Sequence, residues 1–311
     1  MIIHAMTQKV ALSSGACALP QLGVIAADGP DAASFLHGQL TQDFALLDGT
    51  QARLAALCTA KGRMIASFIG IRPQPETILL VCSQDILAAT LKRLSMYVLR
   101  AKLKLRDASS EFALFGLAGD ALAANGIPAA NAPWQRIVKG EANVVSLYPA
   151  DGVSRALWIA PAGSPAPVGP ALDPRLWQWS EIRSGVAMLT TPVLDAFVPQ
   201  MLNYESIGGV NFKKGCYPGQ EVVARSQFRG TLKRRAYVVA ADAPVAAGEE
   251  VFAAADAEQP VGTVVEAAQG PDGAWAAIVS MQIAALDAGP LRAGDAALSV
   301  QPLPYELLAD I

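Results

Sequence analysis

The chain has 311 residues, 52% hydrophobic and 16% charged, and its 24 Lys+Arg against 27 Asp+Glu give a net charge of −3. Length predicts about two domains, and so much apolar material builds a large core rather than a disordered tail. The charge balance argues against a surface that grips nucleic acid throughout, while leaving room for a local basic patch.

Val10–Ala27 is uncharged, but Ser13, Ser14, Gly15, Pro20 and Gln21 interrupt it. Ala156–Leu172 carries Pro161, Pro165, Pro167 and Pro170. A spanning helix needs roughly 20 mostly apolar residues without such breaks, so no membrane segment is expected. Lys9 is the only basic residue ahead of the first stretch, which makes a poor export signal. The four cysteines, Cys17, Cys58, Cys82 and Cys216, show no CxxC or CxC spacing. That fits a reducing compartment, so the cytoplasm is expected, and it offers no self-contained zinc or iron–sulfur site. Of the two histidines, His4 lies in a fraying start and His37 in a helical pattern, where it reads as a partly buried or surface side chain. Neither a Ser-His-Asp triad nor a His-rich metal centre is expected.

In chain order, Leu22–Ala27 reads as an apolar strand, followed by the turn Asp28-Gly-Pro-Asp31. Pro30 and Asp31 open a helix in which Phe35, Leu36, Gln39 and Leu40 have helical spacing. Leu54–Cys58 and Met64–Ile71 are strands around the hairpin-like Thr59-Ala-Lys-Gly62, and Ile78–Val81 is another. Ser83 caps a helix over 84–97, with Asp85 in its first turn and Ile86, Leu87, Thr90, Leu91 and Leu94 on one face. Leu99–Arg106 alternates with period two, which predicts a half-buried strand with Leu99, Ala101, Leu103 and Leu105 inside. Its outer face, Arg100, Lys102, Lys104 and Arg106, is a solubilising edge or a landing strip for a polyanion. Phe112–Leu117 is a strand, and 120–125 a short helix that Gly126 ends. Ser146–Tyr148 and Leu157–Ile159 are strands, Pro161–Pro174 is a loop, and Leu176–Ser184 resumes a helix containing Trp177 and Trp179. After Arg235, short apolar runs alternate with Gly, Pro and Asp turns, as in a small all-β domain. A boundary near 236 is expected.

Lys213–Arg235 contains seven basic residues, Lys213, Lys214, Arg225, Arg229, Lys233, Arg234 and Arg235, against the single acid Glu221. Even scatter would place about two there. Cys216 stands between Gly215 and Tyr217, with Pro218 and Gly219 following. Gly215 and Gly219 permit positive φ, so the backbone can turn tightly around the thiol. Neighbouring positive charge favours thiolate. The alternative is an ordinary loop cysteine. Gln220 and Glu221 begin a helix with Val222 and Val223 on its apolar face. Glu221 and Arg225, four apart, read as an intrahelical ion pair.

The string Lys214-Gly-Cys-Tyr-Pro-Gly-Gln-Glu-Val-Val-Ala-Arg225 resembles the Lys-Gly-Cys-(Tyr/Phe)-x-Gly-Gln-Glu-x-x-Ala-Arg signature of the YgfZ family of folate-binding proteins. Pro199–Asn203, Gly208–Lys214, Phe35–Asp43, Lys61-Gly-Arg63 and Tyr97–Lys102 resemble the family too, in family order and across most of the chain. The family is related to the glycine-cleavage T-protein, an aminomethyltransferase that uses tetrahydrofolate. The resemblance implies an α+β fold, a GcvT-like ring of three lobes closed by a C-terminal antiparallel β-barrel. Residues 1–235 would form two lobes, the second over roughly 50–130, and 236–311 the barrel. It implies tetrahydrofolate or a one-carbon derivative as cofactor, and a role in iron–sulfur cluster assembly that reaches tRNA-modifying enzymes. The family's reactive pair falls on Cys216 and Lys214. Trp177 stands where members set an aromatic against folate, and Gly215, Tyr217, Gly219, Gln220, Glu221 and Arg225 complete the implied binding set.

T-proteins carry adjacent acids where this chain has Met64-Ile-Ala-Ser-Phe68, and a Glu where it has Arg183. Acids are natural partners for a pterin's N–H edge, so their loss argues against T-protein chemistry. Three functions follow: a folate-binding accessory factor for iron–sulfur clients, a one-carbon transferase, and, least favoured, direct tRNA binding through the basic segments.

Overall fold

The computed structural model describes residues 14–228, 232–254, 256 and 258–308. His4 and Arg229 lie outside them, as does the start of the first uncharged stretch.

The chain opens with β1 (Gly15–Ala18) and β2 (Leu22–Asp28), then α1 (Ala32–Gln39), which buries Phe35 and Leu36. Strands β3 (Ala52–Cys58) and β4 (Met64–Gln74) flank the turn in which Gly62 takes φ +72°. β5 (Thr77–Ser83) leads into α2 (Gln84–Ser95), whose buried face is Ile86, Leu87, Thr90 and Leu94. β6 (Lys104–Asp107) completes a sheet ordered β3-β4-β5-β2-β6. β7 (Phe112–Ala118), α3 (Asp120–Ala124), β8 (Arg136–Lys139), β9 (Ala142–Ala150) and β10 (Val153–Pro161) follow. With β1 they form a second sheet, β1-β7-β10-β9-β8. α4 (Pro174–Arg183) starts on Asp173, whose carboxylate accepts the Arg175 N–H at 2.9 Å. α5 (Gln220–Phe228) precedes β11 (Arg234–Ala241), β12 (Glu250–Ala253), β13 (Gly262–Gln269), β14 (Trp275–Gln282), β15 (Leu291–Ala293) and β16 (Ala296–Gln301). These last strands close an antiparallel barrel, β11-β14-β13-β12-β15-β16, and closure leaves no open edge.

Three expectations change. The lobe expected over roughly 50–130 straddles two sheets: β2 lies between β5 and β6, so one sheet takes residues 22–107. β1 crosses over to pair with β7, at Gly15↔Ala118, a partner about 100 residues away that no local pattern announces. The strand expected from Leu99 begins only at Lys104, and Leu99 is 86% exposed. The physical reason is Asp31: its carboxylate accepts the Lys102 N–H at 2.6 Å, which draws this backbone to the start of α1 instead of into a ladder. Arg106, expected on a free basic face, pairs with Asp28 and Glu111.

The largest core cluster is continuous across the molecule. Leu54, Met64 and Phe68 pack in it with Leu202, Tyr204 and Ile207, with Val223 of α5, and with Ala236, Val265 and Ile278 of the barrel. The segment after α4 therefore threads between the first sheet and the barrel, and it carries the basic motif with it.

Candidate functional site

Hydrogen bonds fix the approach to the motif. Thr41 Oγ1 donates to the Gly209 carbonyl at 2.6 Å, Gln42 Nε2 to the Gly208 carbonyl at 2.7 Å, and the Asn211 N–H to the Thr41 carbonyl at 2.9 Å. Asn203, in the left-handed region at φ +59°, clamps β11 by donating from Nδ2 to the Ala236 carbonyl (2.8 Å) and accepting the Ala236 N–H (3.2 Å). Gln200 Nε2 donates to the Val223 carbonyl at 2.7 Å and so holds α5.

Lys214 is 8% exposed. Its Nζ donates to the carbonyls of His37 (2.6 Å), Leu40 (3.1 Å) and Gly215 (3.1 Å), and lies 4.6 Å from the centre of the Tyr217 ring. Two of those carbonyls belong to the end of α1, where helix geometry leaves acceptors without partners. A cation there also meets the negative end of the helix dipole. Burial pulls the ammonium down to about 8, against the charges of Asp43 and Cys216 that favour its protonation. Lys214 thus staples the motif to α1.

Glycine's role differs at the two sites. Gly215 is not in the left-handed region; a Cβ there would stand 3.2 Å from His37 Nε2, so the imidazole lies close over this residue. Gly219 takes φ +80°, and a Cβ would reach the Thr59 carbonyl oxygen at 2.4 Å and the Gly62 Cα at 2.7 Å. Here both conformation and close approach demand glycine. The start of α5 docks in this way on the turn between β3 and β4. Tyr217 is buried, Gln220 is half-buried, and Glu221 and Arg225 form an exposed pair at 2.6 Å, as their spacing predicts.

All four cysteines lie among the described residues, and Cys216 is the exposed one. Burial pushes Cys17 up to about 11, with Glu181 and Asp173 adding to it, and pushes Cys58 and Cys82 to about 12. Lys213 is exposed beside the motif, and Arg235 is buried against Glu205 at 2.7 Å. The cation density read from sequence is therefore partly committed to internal pairing.

Two residues missed by the sequence reading stand beside the thiol loop. His37 Nδ1 is 3.0 Å from Asp43 Oδ1. Burial works to raise the Asp43 carboxyl, but the N–H of Leu46, the His37 ring and the Ala45 N–H outweigh it and hold the group below its usual range. A His and an Asp six apart, spanning the end of a helix, were the available signal. Nothing local says which loop they face.

Trp177 does not join this group. It is 1% exposed in the core cluster beside β7 and β10. A Cβ on Gly116 would stand 2.5 Å from its ring, and the Arg155 guanidinium carbon lies 4.3 Å from the ring centroid. The expected pterin stack finds no open ring face. Ligand-sized hollows lie elsewhere. A cavity of 470 Å³ is lined by Leu19, Leu22, Gln84, Ser109, Phe112 and Leu114, some of them neighbours of Trp177 in its core cluster. Another, of 380 Å³, is lined by Gln42, Gln51, Arg53, Trp134 and Gln135.

In the Met64–Phe68 stretch Ser67 accepts the Leu189 N–H at 2.8 Å, and Arg183 pairs with Asp151 at 2.6 Å. Two other carboxyls sit close by. Burial pushes Glu266 up to about 8, with the charge of Glu181 adding to it, and burial raises Glu181 despite Arg155 and Trp177. Among the described residues no cluster of three or more His, Cys, Asp or Glu is placed to hold a metal ion. No described helix is long and apolar enough to cross a membrane.

No protein-family model matches the chain. It is 32% identical to the tRNA-modifying protein YgfZ of Sodalis glossinidius (strain morsitans), over 93% of this chain and 92% of that one. The tRNA-modifying protein YgfZ of Serratia proteamaculans (strain 568) is likewise 32% identical, over 93% and 92%. That of Yersinia pestis (strain Pestoides F) is 30% identical, over 94% and 92%. Among solved structures, the glycine cleavage system aminomethyltransferase T from Bartonella henselae superposes with a TM-score of 0.68 at 18% identity, over 94% of this chain and 86% of that one. The architecture is accordingly GcvT-like, α+β with a closed C-terminal β-barrel. With about a third of its residues identical along nearly the whole length of both chains, the chain belongs to the YgfZ family.

Proposed function

We propose that this protein is a tetrahydrofolate-binding accessory factor for assembly or repair of iron–sulfur clusters in client enzymes, tRNA-modifying radical enzymes among them. Cys216 is its working thiol. The observation that carries the proposal is the exposure of Cys216 while Cys17, Cys58 and Cys82 are buried, on a loop pinned by Lys214 and Gly219. A thiol left accessible on a fixed backbone is suited to meeting a partner's sulfur or cluster. The relatives' name as tRNA-modifying proteins supports the link to tRNA modification, and the cysteine usage supports a reducing, cytoplasmic setting.

The folate half rests on the GcvT-like fold and on a hollow of suitable size, since ligand pockets run from about 300 Å³ upward. Because Trp177 is covered, we propose the 470 Å³ cavity that borders its core cluster as the pteridine site, with Gln84 and Ser109 as polar contacts. Aminomethyl transfer is the weaker reading, because the acids of the T-protein are replaced by a hydrogen-bonded serine and a paired arginine. Direct binding of nucleic acid is not part of the proposal: Arg106, Arg225 and Arg235 are already paired.

Two experiments test this. Titration with tetrahydrofolate should saturate, and Ser110→Trp, which adds bulk at a residue lining the cavity, should weaken it; no binding at millimolar ligand removes the folate half. In cells lacking the protein, Cys216→Ser should fail to restore an iron–sulfur-dependent methylthiotransferase; full restoration removes Cys216 from the function.

A further inference from the structure

An exposed thiol becomes a nucleophile only as thiolate, which forms at neutral pH when a base or fixed positive charge stands beside it. Lys214 supplies the charge but not the base, because its ammonium is spent on the carbonyls of His37, Leu40 and Gly215. His37 is placed differently. Its Nδ1 is bonded to Asp43 at 3.0 Å, and the Leu46 N–H keeps that carboxylate in place at 3.0 Å. A proton on Nδ1 therefore points at Asp43, leaving Nε2 as the ring's acceptor. Among the described residues nothing is hydrogen-bonded to Nε2, and this nitrogen rests against Gly215, the residue before Cys216. Cys216 is also close enough to act electrostatically on Lys214, whose Nζ is bonded to the carbonyl of His37 itself. His37, Lys214 and the residue before Cys216 therefore meet at the end of α1.

We infer that His37 is the proton acceptor for the Cys216 thiol, with Asp43 as the positioning residue that fixes the imidazole. The inference rests on the proposal that Cys216 is the working thiol. In the step, the Sγ proton passes to Nε2. The thiolate then attacks an electrophilic carbon or sulfur, the new bond to Sγ forms as the leaving group departs with its electron pair, and the imidazolium returns its proton to water. The charged and titratable groups on the elements packed at this site are Lys213, Lys214 and Tyr217 on the loop itself, Asp43 after α1, Arg53 on β3, whose Nε donates to the Asp43 carbonyl, Lys61 on the turn packed against Gly219, and the Glu221–Arg225 pair on α5.

Iodoacetamide is the probe: it forms a carbon–sulfur bond at Cys216 and releases iodide. Native wild-type protein should label at one fast site, absent from Cys216→Ser. The pH–rate profile should move to higher pH in His37→Gln, with labelling about tenfold slower near pH 6.5, one pKa unit being tenfold; Asp43→Asn should move it the same way. Superimposable profiles for wild type and His37→Gln overturn the inference. If His37→Gln does not fold, imidazole NMR decides, since the chain has two histidines. The His37 titration midpoint should fall in Cys216→Ser, and an unchanged midpoint overturns the pair. The two proposals fail separately, because the profile reads the proton transfer and complementation reads the cellular role.

Discussion

The Lys214 ammonium holds the carbonyls of His37, Leu40 and Gly215 and so caps α1. The family resemblance implies a reactive partner of Cys216 at this position, and the charge it sets beside the thiol is compatible with that role. Replacing Lys214 with methionine keeps the stem and leaves buried carbonyls without a donor, at about 1–3 kcal/mol for such a loss. Lys214→Met should therefore unfold at lower denaturant than wild type, and Cys216 should label more slowly at neutral pH because its thiolate loses the neighbouring charge. Equal midpoints would show that water replaces the ammonium at no cost. Glu266 offers a pH test. Its folded pKa of about 8 lies above the ordinary 4.5, so the folded state holds a proton that the unfolded chain gives up between those values. Stability from this group is full below about pH 4.5 and falls as pH rises toward 8. Glu266→Gln should remove the decline and exceed wild type at pH 8.5, by an amount on the order of a few kcal/mol. Parallel pH curves for the two proteins would refute that assignment.

At the scale of elements, the site depends on the contact between the start of α5 and the turn joining β3 and β4. Gly219 and Gly62 face each other there, and a Cβ on Gly62 would stand 2.9 Å from Val222. Gly219→Ala adds a methyl group where φ is +80° and the Thr59 oxygen is 2.4 Å away. Strain of this kind costs about 1–3 kcal/mol even without a clash. The expected outcome is a lower melting temperature and faster hydrogen exchange through α5 and the Cys216 loop, with β7–β10 unaffected; uniform exchange would show that the docking is not local. The same scale explains the sequence errors. Period-two alternation correctly marks Ala101, Leu103 and Leu105 as half-buried. It cannot reveal that Asp31 claims the Lys102 N–H and keeps that run out of the ladder until Lys104. Trp177 was assigned by resemblance to a ligand, whereas α4 turns it onto Gly116.

For the whole molecule, the shared core makes the barrel part of the fold rather than an appendage. Ala236, Val265 and Ile278 pack in the same cluster as Leu54 and Phe68, and Asn203 bonds the chain segment to β11 from both amide atoms. Calorimetry should give one transition with matching calorimetric and van't Hoff enthalpies. Asn203→Ala, which loses two buried hydrogen bonds and puts alanine at φ +59°, should lower that transition by several degrees without splitting it. Two separated transitions in wild type would contradict a continuous core.

What could be read from residues alone was whatever depends on near neighbours. Strands and helices follow the period of their apolar side chains, turns follow Gly and Pro, and the Glu221–Arg225 pair follows its spacing of four. The motif around Cys216, with its glycines and lysines, belongs to the same class, because a signature is a short string. What required the folded chain were meetings between distant segments: Lys214 with α1 across 177 positions, β1 with β7, and the imidazole of His37 against Gly215. Such contacts depend on which faces of which sheets come together, and each partner is an unremarkable residue in its own stretch of sequence. Burial works the same way: Trp177 and Leu99 exchanged their expected environments because exposure is a property of what covers a side chain, and that covering comes from elsewhere in the chain.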